Sequence, residues 1–313
     1  MSEKKAIRDG FGEGLVELGK ENNKIVVLSG DLEDATKAIL FKEEFPERFL
    51  QIGISEQDLV GTAVGFSKEG FIPFAVSFAV FLTNRAYDQI RVSVCYNESN
   101  VKLIGSHAGL TVGPDGATAQ CLEDLAIMRV LPNMTVICPC DAVEASKAVK
   151  VIAEHNGPVY MRLGRPSSAI ITKDDTPFVI GKANMLCDGN DVTIISCGLI
   201  LNECLSAVEM LKGKGINARV INMHTIKPID KEIIIKCADE TGAIVTVEEH
   251  QANGGLGSAV CEALSGYKGV PVEMIAVKDS FGESGQPDEL LIKYKLKDVD
   301  IVNAVSTVLL KKK

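Results

Sequence analysis

The stretch IPFAVSFAVFLTNRAYDQ, residues 72–89, contains the pattern that decides the fold. Its first five residues are a short apolar run typical of a buried strand, and from residue 82 the apolar side chains recur at helical spacing as far as residue 96. The same alternation surrounds it, with strands predicted at 25–28, 101–104, 135–138 and 159–163 and helices at 56–68, 122–130 and 142–154. Strands separated by crossover helices predict a parallel α/β sheet.

A second set of strands and helices follows a polar connection. Between residues 164 and 190 the periodicity fades, and Gly, Pro, Ser, Lys and Asp accumulate. Strands are then predicted at 192–195, 218–221, 244–247 and 272–275, with helices at 202–212, 231–239 and 256–264. We therefore predict two parallel-sheet α/β domains, at residues 1–170 and 191–313, joined by a linker at 171–190, with the second domain the smaller.

Composition narrows the classes of partner. The chain has 313 residues and a formal net charge of -9, and its only basic run is the lysines that end it, so we predict no nucleic-acid partner. No segment approaches the about 20 apolar residues of a membrane span, so we predict no membrane partner and a cytoplasmic location. The nine cysteines are scattered without a zinc-ligand pattern, and no metal site is predicted.

Three segments at the ends of predicted strands carry residues suited to chemistry. Glu56 starts a helix directly after a strand, Phe78 and Phe81 are three residues apart before another helix, and a long glycine-rich loop at 105–118 contains His107 and Asp115. In open α/β sheets, ligands bind at this edge. Each also has an ordinary explanation: a solvated carboxylate at the positive end of a helix, core phenylalanines, a loop histidine and a turn-forming aspartate.

Taken together, these segments resemble the C-terminal portion of transketolases. The resemblance extends from residue 6 to residue 287, and its anchors keep the family's order and spacing. They are GD at 30–31, ISEQ at 54–57, SF at 77–78, VGPDG at 112–116, LPN at 131–133, KP at 227–228 and VEEH at 247–250. The resemblance implies a thiamine-diphosphate-binding, pyrimidine-type fold followed by a smaller transketolase C-terminal-like domain.

The resemblance implies roles at the cofactor for four residues. Glu56 matches the catalytic glutamate that hydrogen-bonds the aminopyrimidine nitrogen of thiamine diphosphate and promotes its imino tautomer. Phe81 matches the aromatic that stacks on this ring, and Phe78 lines the same pocket. Asp31 matches a residue near the cofactor.

Four further residues match positions that contact the sugar in the family. Asp115 matches the aspartate that bonds a donor hydroxyl, and His107 matches a residue that contacts substrate hydroxyls in some members; both are therefore assigned to catalysis. Arg8 and Arg165 match arginines that hold the sugar phosphate, a task suited to a guanidinium group.

Two departures from the family concern specificity. Ala119 stands where many transketolases have a second histidine in the catalytic loop, which affects donor or acceptor preference. Ala35 stands where the family has a phosphate-contacting serine, although Thr36 beside it could supply a hydroxyl.

The family's Gly-Asp-Gly motif occurs nowhere in the sequence. In the family this motif belongs to the N-terminal domain, which holds the metal ion and the diphosphate. The resemblance therefore implies a separate transketolase N-terminal subunit that binds Mg²⁺ or Ca²⁺ and shares the thiamine diphosphate. We expect two copies of each chain, with self-association through both domains of this one.

The predicted activity is transfer of a two-carbon ketol unit between small-molecule sugar phosphates, in the pentose phosphate series, once the partner subunit is bound. Three alternatives remain open. The chain could belong to an enzyme like deoxyxylulose-phosphate synthase, to one like the beta subunit of a 2-oxoacid dehydrogenase, or to a non-catalytic regulatory homologue.

Overall fold

The structure, a computed structural model, describes residues 4–267 and 269–312. The strands are β1 (Lys4–Ala6), β2 (Ile25–Ser29), β3 (Phe49–Gln51), β4 (Ile72–Phe78), β5 (Lys102–Ser106), β6 (Thr135–Ile137), β7 (Val159–Arg162), β8 (Ser167–Ala169), β9 (Asn184–Cys187), β10 (Val192–Ser196), β11 (Ala218–Asn222), β12 (Thr225–Lys227), β13 (Ile244–Gln251) and β14 (Val272–Val277). The helices are α1 (Ile7–Glu21), α2 (Glu33–Thr36), α3 (Ile39–Glu44), α4 (Glu56–Lys68), α5 (Ala79–Arg85), α6 (Tyr87–Gln89), α7 (Asp124–Arg129), α8 (Ala142–Glu154), α9 (Leu201–Lys212), α10 (Lys231–Thr241), α11 (Leu256–Ala263), α12 (Pro287–Lys293) and α13 (Asp298–Leu310).

Two largely parallel sheets organise these elements. The first has seven strands in the order β12-β6-β7-β5-β4-β2-β3, with β12 antiparallel to its neighbour at one edge. The second has the order β14-β13-β10-β11-β9, with β9 antiparallel at its edge. A small antiparallel pair joins β1 to β8. The predicted fold class, two parallel-sheet α/β domains, is confirmed.

Helices cover both faces of the first sheet, which is why its strands are apolar throughout. Along β2, Ile25 and Val27 pack into a core with α1 and α8, whereas Val26 and Leu28 pack into the core on the other face with α4. A parallel sheet buried on both faces needs this continuous apolar sequence rather than strict alternation. Helix α1 lies so close to α8 that a Cβ on Gly10 would be 1.9 Å from the carbonyl oxygen of Ala142.

The helix predicted at 82–96 is broken. It is observed as α5, α6 and a π-helical turn at Ile90–Tyr96. At Ala86 the backbone has φ -105° and ψ 18°, outside the α-helical region, so the chain changes direction between α5 and α6. The π-helical turn then accommodates wider hydrogen bonding, as such turns do near functional sites. Because Ala86 is not helical, α5 ends at Arg85, beside the edge of the sheet where the candidate site lies.

Two short strands near the connection extend the sheets, and one of them crosses between the units. Strand β9 falls inside the segment predicted as a linker and pairs with β11, while β12, from the second half of the chain, pairs with β6 of the first sheet. The sequence had predicted neither strand. We propose that the connection between the units is shortened to residues 170–183. None of the helices in the described residues is long and apolar enough to cross a membrane.

Asp141 fixes the start of this connection. Its side chain is fully buried and caps α8 by accepting the backbone N–H of Glu144 at 2.8 Å. The same carboxylate accepts the N–H of Ile171 at 2.7 Å, and both the N–H and the hydroxyl of Thr172, at 2.5 and 2.9 Å. One side chain therefore satisfies four donors in two segments.

We predict that Asp141→Ala lowers the free energy of unfolding by about 2–4 kcal/mol, because it removes a helix cap and leaves buried donors unsatisfied. Urea unfolding measures this. The matched control is Asp230→Ala, which removes a cap with only two accepted bonds, from Ile233 and Ala183, and should cost about 1–2 kcal/mol. Equal losses for the two variants would contradict the role assigned to Asp141.

Candidate active site

The residues predicted for the site gather at the carboxyl edge of the first sheet. Parallel strands end at the same edge, so residues far apart in sequence are brought together there. The positions that follow strands β2, β3, β4, β5 and β7, together with the start of α1, supply Asp31, Glu56, Phe78, Phe81, His107, Asp115, Arg165 and Arg8.

Glu56 is the first residue of α4, and its side chain is only 3% exposed. The helix N-terminus favours a carboxylate there. Its cationic partner is Arg85, whose Nη1 lies 3.2 Å from Oε1 and 3.1 Å from Oε2. Gly53, with φ +83°, allows the turn between β3 and α4. A buried carboxylate is thus held at the edge of the sheet with an exposed counterion.

A row of flat groups extends from this carboxylate. The guanidinium carbon of Arg85 is 4.3 Å from the ring centroid of Phe81, and the rings of Phe81 and Phe78 are 5.8 Å apart and nearly parallel. Phe78 in turn stacks on the imidazole of His107 at 3.9 Å. Phe78 ends β4 and Phe81 lies in the first turn of α5, which explains why their spacing places them side by side. The row is an apolar shelf suited to a planar heterocycle.

His107 is a buried, neutral imidazole. Its Nε2 lies 3.5 Å from Arg8 Nη1, which can only donate, so Nε2 accepts and Nδ1 donates to the Ser106 hydroxyl at 3.0 Å. Burial, and then the charges of Arg8 and Arg165, lower the pKa of His107 to about 3. Its backbone φ of 57° is uncommon for a residue other than glycine, as found at functional sites.

Two arginines create a positive region next to His107. Arg8 Nη1 donates to the carbonyl of Ala35 at 2.7 Å, and its buried Nε has no partner among the described residues. Burial lowers the pKa of Arg8, an effect that Asp9 opposes and Arg165 reinforces. Two like charges so close together favour binding of an anion, which would also satisfy the free guanidinium nitrogen.

Asp115 lies at the end of a short 3-10 turn, Leu110–Asp115, in the glycine-rich loop. Arg165 Nη1 is 4.0 Å from its Oδ1 and donates to the carbonyl of Val112. Both charged side chains are more than one-third exposed, so they remain available to a ligand. Gly113 and Gly116 have φ of 80° and 76°, which other residues rarely adopt. Asp115 is thereby presented beside Arg165.

Asp31 is exposed, and its contacts are with Gln51. It also has a positive φ, 64°, and its backbone N–H donates to Gln51 Oε1 at 2.9 Å. The Gln51 amide donates back to Asp31 Oδ1 at 3.3 Å and to Glu33 at 2.6 Å. Asp31 therefore reaches the correct edge of the sheet, held by Gln51.

The residues at the two departures from the family take structural roles. Ala35 contributes its carbonyl oxygen to Arg8 rather than a side chain. The hydroxyl of Thr36 is not available in its place, because Thr36 is fully buried and its Oγ1 donates to the carbonyl of Leu32 at 2.8 Å. Ala119 is buried in the loop after Asp115. The positive region is consequently left without a hydroxyl from this segment.

The sequence reasoning missed a contribution from the second sheet. Glu249, on β13, accepts the backbone N–H of Thr111 at 2.5 Å and so holds the start of the turn that carries Asp115. Burial raises the pKa of the Glu249 carboxyl, while the bonds from Thr111 and the charge of Arg162 oppose that shift. Two consecutive glutamates in an apolar strand were the available signal, because buried carboxylates need partners.

Comparison with known proteins identifies the same two units. The family model for the pyrimidine binding domain of transketolase matches residues 3–169, and that for the transketolase C-terminal domain matches residues 181–301. A putative transketolase C-terminal section from Methanocaldococcus jannaschii is 45% identical over 305 residues, which is 96% of this chain and 95% of that protein. The 6-deoxy-6-sulfo-D-fructose transketolase subunit SqwH of a Clostridium species is 40% identical, over 96% of this chain and 94% of that protein.

A solved structure gives the same picture. It is described as a split gene transketolase, inactive beta4 tetramer, and it superimposes with a TM-score of 0.93 at 49% identity, covering 98% of this chain and 99% of that one. The rat transketolase is 41% identical over 97% of this chain, which corresponds to 49% of its own length. This chain therefore spans about half the length of that protein and nearly all of the shorter relatives.

We predict that His107 stays neutral between pH 5 and 8 and that Arg165→Met raises its pKa, because one of the two cationic neighbours is lost. Proton NMR of the histidine rings measures this. His224 is the control in the same spectra, since its pKa of about 4 reflects burial, opposed by Asp230, and should not move.

The pH dependence of stability follows from the folded and reference pKa values of His107. Because the folded pKa of about 3 lies below the reference value of 6.5, the unfolded chain binds more protons between them. Stability attributable to His107 is present above pH 6.5 and is lost as the pH falls toward 3. A shift of both histidines on Arg165→Met, or of neither, would disprove the charge coupling.

Proposed function

The chain belongs to the transketolase family, and on that premise we propose that it is the C-terminal subunit of a thiamine-diphosphate-dependent transketolase that moves a two-carbon ketol unit between sugar phosphates. The observation that carries this proposal is the grouping of Glu56, the Phe78–Phe81–His107 stack and the pair Arg8 and Arg165 along one edge of one sheet. The buried carboxylate of Glu56 lies at one end of this group, and the guanidinium groups of Arg8 and Arg165 lie at the other.

The residues present fit the aminopyrimidine half of thiamine diphosphate. Glu56 is a buried acceptor for a ring nitrogen, and Phe81 and Phe78 provide the flat apolar surface against which such a ring can stack. When bound, thiamine diphosphate supplies the electron sink needed to break and remake a carbon–carbon bond. The task of Glu56 is to hold a proton at the pyrimidine nitrogen, and that of Phe81 is to orient the ring.

At the other end of the shelf the chain's residues suit a phosphorylated sugar. Arg8 and Arg165 would bind phosphate oxygens, satisfying the free Nε of Arg8. His107 would accept a hydrogen bond at Nε2 as a neutral ring, and Asp115 would accept one from a sugar hydroxyl. These groups position the substrate, so that the ketol unit faces the cofactor.

The remaining part of the site would come from a transketolase N-terminal subunit that binds the diphosphate and Mg²⁺ or Ca²⁺. In support, the relatives of matching length are named as sections or subunits, among them a subunit of the apulose-4-phosphate transketolase of Phocaeicola vulgatus, 40% identical over 93% of both chains. The similar structure described as an inactive beta4 tetramer supports self-association of this chain. We propose two copies of each subunit in the active complex.

The identity of the sugar remains open within this proposal. Relatives about equally similar are named for a sulfo sugar and for apulose 4-phosphate. Ala35 and Ala119 remove polar groups that other family members place near the substrate, so donor and acceptor preference need not follow the pentose phosphate pattern. A cytoplasmic location is supported by the nine cysteines, all of which are unpaired, as is usual in a reducing compartment.

The direct test mixes the purified chain with the transketolase N-terminal subunit from the same genome, thiamine diphosphate and Mg²⁺, and measures ketol transfer from xylulose 5-phosphate to ribose 5-phosphate. Activity is expected only with both chains. In this complex, Glu56→Gln should lower kcat by ~10²–10⁴-fold, the effect of losing an acid–base group. Glu262→Gln is the control, because Glu262 pairs with Arg129 on an exposed surface.

The outcomes separate the alternatives. Unchanged turnover in Glu56→Gln would reject its catalytic role. A stable two-chain complex that cleaves 2-oxoacids, or that condenses pyruvate with glyceraldehyde 3-phosphate, would replace the transketolase assignment with one of the other thiamine enzymes. Complex formation without any of these activities would favour the non-catalytic homologue.

The role of the positive region is tested with paired substrates. Arg165→Ala should raise KM for a phosphorylated ketose by about 10–100-fold and leave the unphosphorylated ketose nearly unchanged, because only the former loses a charge-assisted hydrogen bond. Steady-state kinetics on both substrates measures the difference. Arg129→Ala provides the control for loss of an arginine elsewhere. Equal losses on the two substrates would remove the phosphate assignment.

A further inference from the structure

Arg85 makes contacts that neither the sequence nor the family resemblance had assigned. Its side chain is 50% exposed, whereas Glu56 beneath it is 3% exposed. The guanidinium donates from one nitrogen to both carboxylate oxygens and lies over the ring of Phe81. The residue sits at the end of α5, where Ala86 leaves the helical conformation, and this position turns its side chain back toward α4.

The proposed function assigns the same two contacts, with Glu56 and with Phe81, to the pyrimidine ring. Both groups are planar, both present N–H or ring-nitrogen atoms to a carboxylate, and both can stack on an aromatic face. Arg85 and the ring cannot both occupy the position that contacts Glu56 and Phe81. We propose that Arg85 occupies the place of the aminopyrimidine in the unloaded chain and swings into solvent when the cofactor binds.

The burial of Glu56 explains why the unloaded chain needs Arg85 in this position. A buried carboxylate without a partner is strongly destabilising, and the unloaded chain must keep it satisfied. A pair that is half exposed is screened by water, so it can be broken at a small cost. An arginine with a long flexible stem at the rim of the pocket meets both needs. Arg85 therefore competes with the ring, and this inference rests on the proposed cofactor.

The competition can be measured on the isolated chain, without a partner and without turnover. The probe is 4-amino-5-hydroxymethyl-2-methylpyrimidine, the ring fragment of thiamine, with binding followed by ligand-observed NMR. Arg85→Met should bind the fragment roughly two- to fivefold more tightly than the unaltered chain, the range expected for removing a competing exposed ion pair. Arg85→Lys retains the charge but not the planar group, and its affinity should fall between the two.

Two further variants serve as controls. Arg129→Met removes an arginine that is also paired with a carboxylate, Glu262, and should leave fragment binding unchanged. Glu56→Gln combined with Arg85→Met should lose the gain, because the acceptor for the ring is altered. Thermal unfolding of each variant identifies any that fail to fold, and in that case Arg85→Lys, which keeps a counterion for Glu56, carries the comparison.

The inference is overturned if Arg85→Met binds the fragment equally or less tightly, which would make Arg85 a neutral or supporting residue. Absence of fragment binding to every variant would likewise overturn it. Failure of the proposed function would look different, since ketol transfer would be absent from the two-chain complex while the order of fragment affinities persisted.

Discussion

A fully buried guanidinium, that of Arg162 at the end of β7, constrains the whole molecule. Its Nη2 donates to the carbonyl of Glu249 at 2.7 Å, and its Nε is 3.4 Å from Asp124, which also accepts the hydroxyl of Tyr160 at 2.7 Å. Burial opposes the charge, yet the negative charge of Asp124 raises the pKa of Arg162 above its ordinary value. A buried charge needs its partners fixed, so β7, α7 and β13 are held in one arrangement. Of these elements, β7 leads into the segment with Arg165, and β13 carries Glu249, which holds the turn that bears Asp115.

The site therefore divides into a rigid base and an adaptable rim. The base consists of strand ends and of the turn held by Glu249, and its histidine is kept neutral by burial and by its cationic neighbours. The rim consists of half-exposed charges such as Arg85, Arg165 and Asp115. Rigid supports with mobile charged groups are what a pocket requires if it must accept a cofactor and then sugars of differing shape.

Sequence periodicity predicted the helices and strands that depend on neighbouring residues. It missed those that depend on contacts between distant parts of the chain. Helices α4 and α8 begin and end where predicted; Asp141 caps α8, and α4 buries Leu59, Val60 and Ala63. Strands β9 and β12 were missed, since each is short and lies antiparallel at the edge of a sheet, β9 against β11 and β12 against β6 of the other unit. At the site, Phe78 lies between Phe81 and His107, and Arg8 lies beside His107. Glu249 and Arg85 were not assigned, because their roles depend on partners 138 and 29 positions away.

The crossing of β12 into the first sheet has a mechanical consequence. Its hydrogen bonds to β6, extended by the bond from the Cys138 N–H to the His224 carbonyl at 2.8 Å, make the backbone of one unit part of the ladder of the other. Two units joined in this way cannot rotate as freely as domains joined by a hinge, because rotation would break the hydrogen bonds between β12 and β6. Such a chain also resists recombination, for neither half can be exchanged for another module without losing a strand.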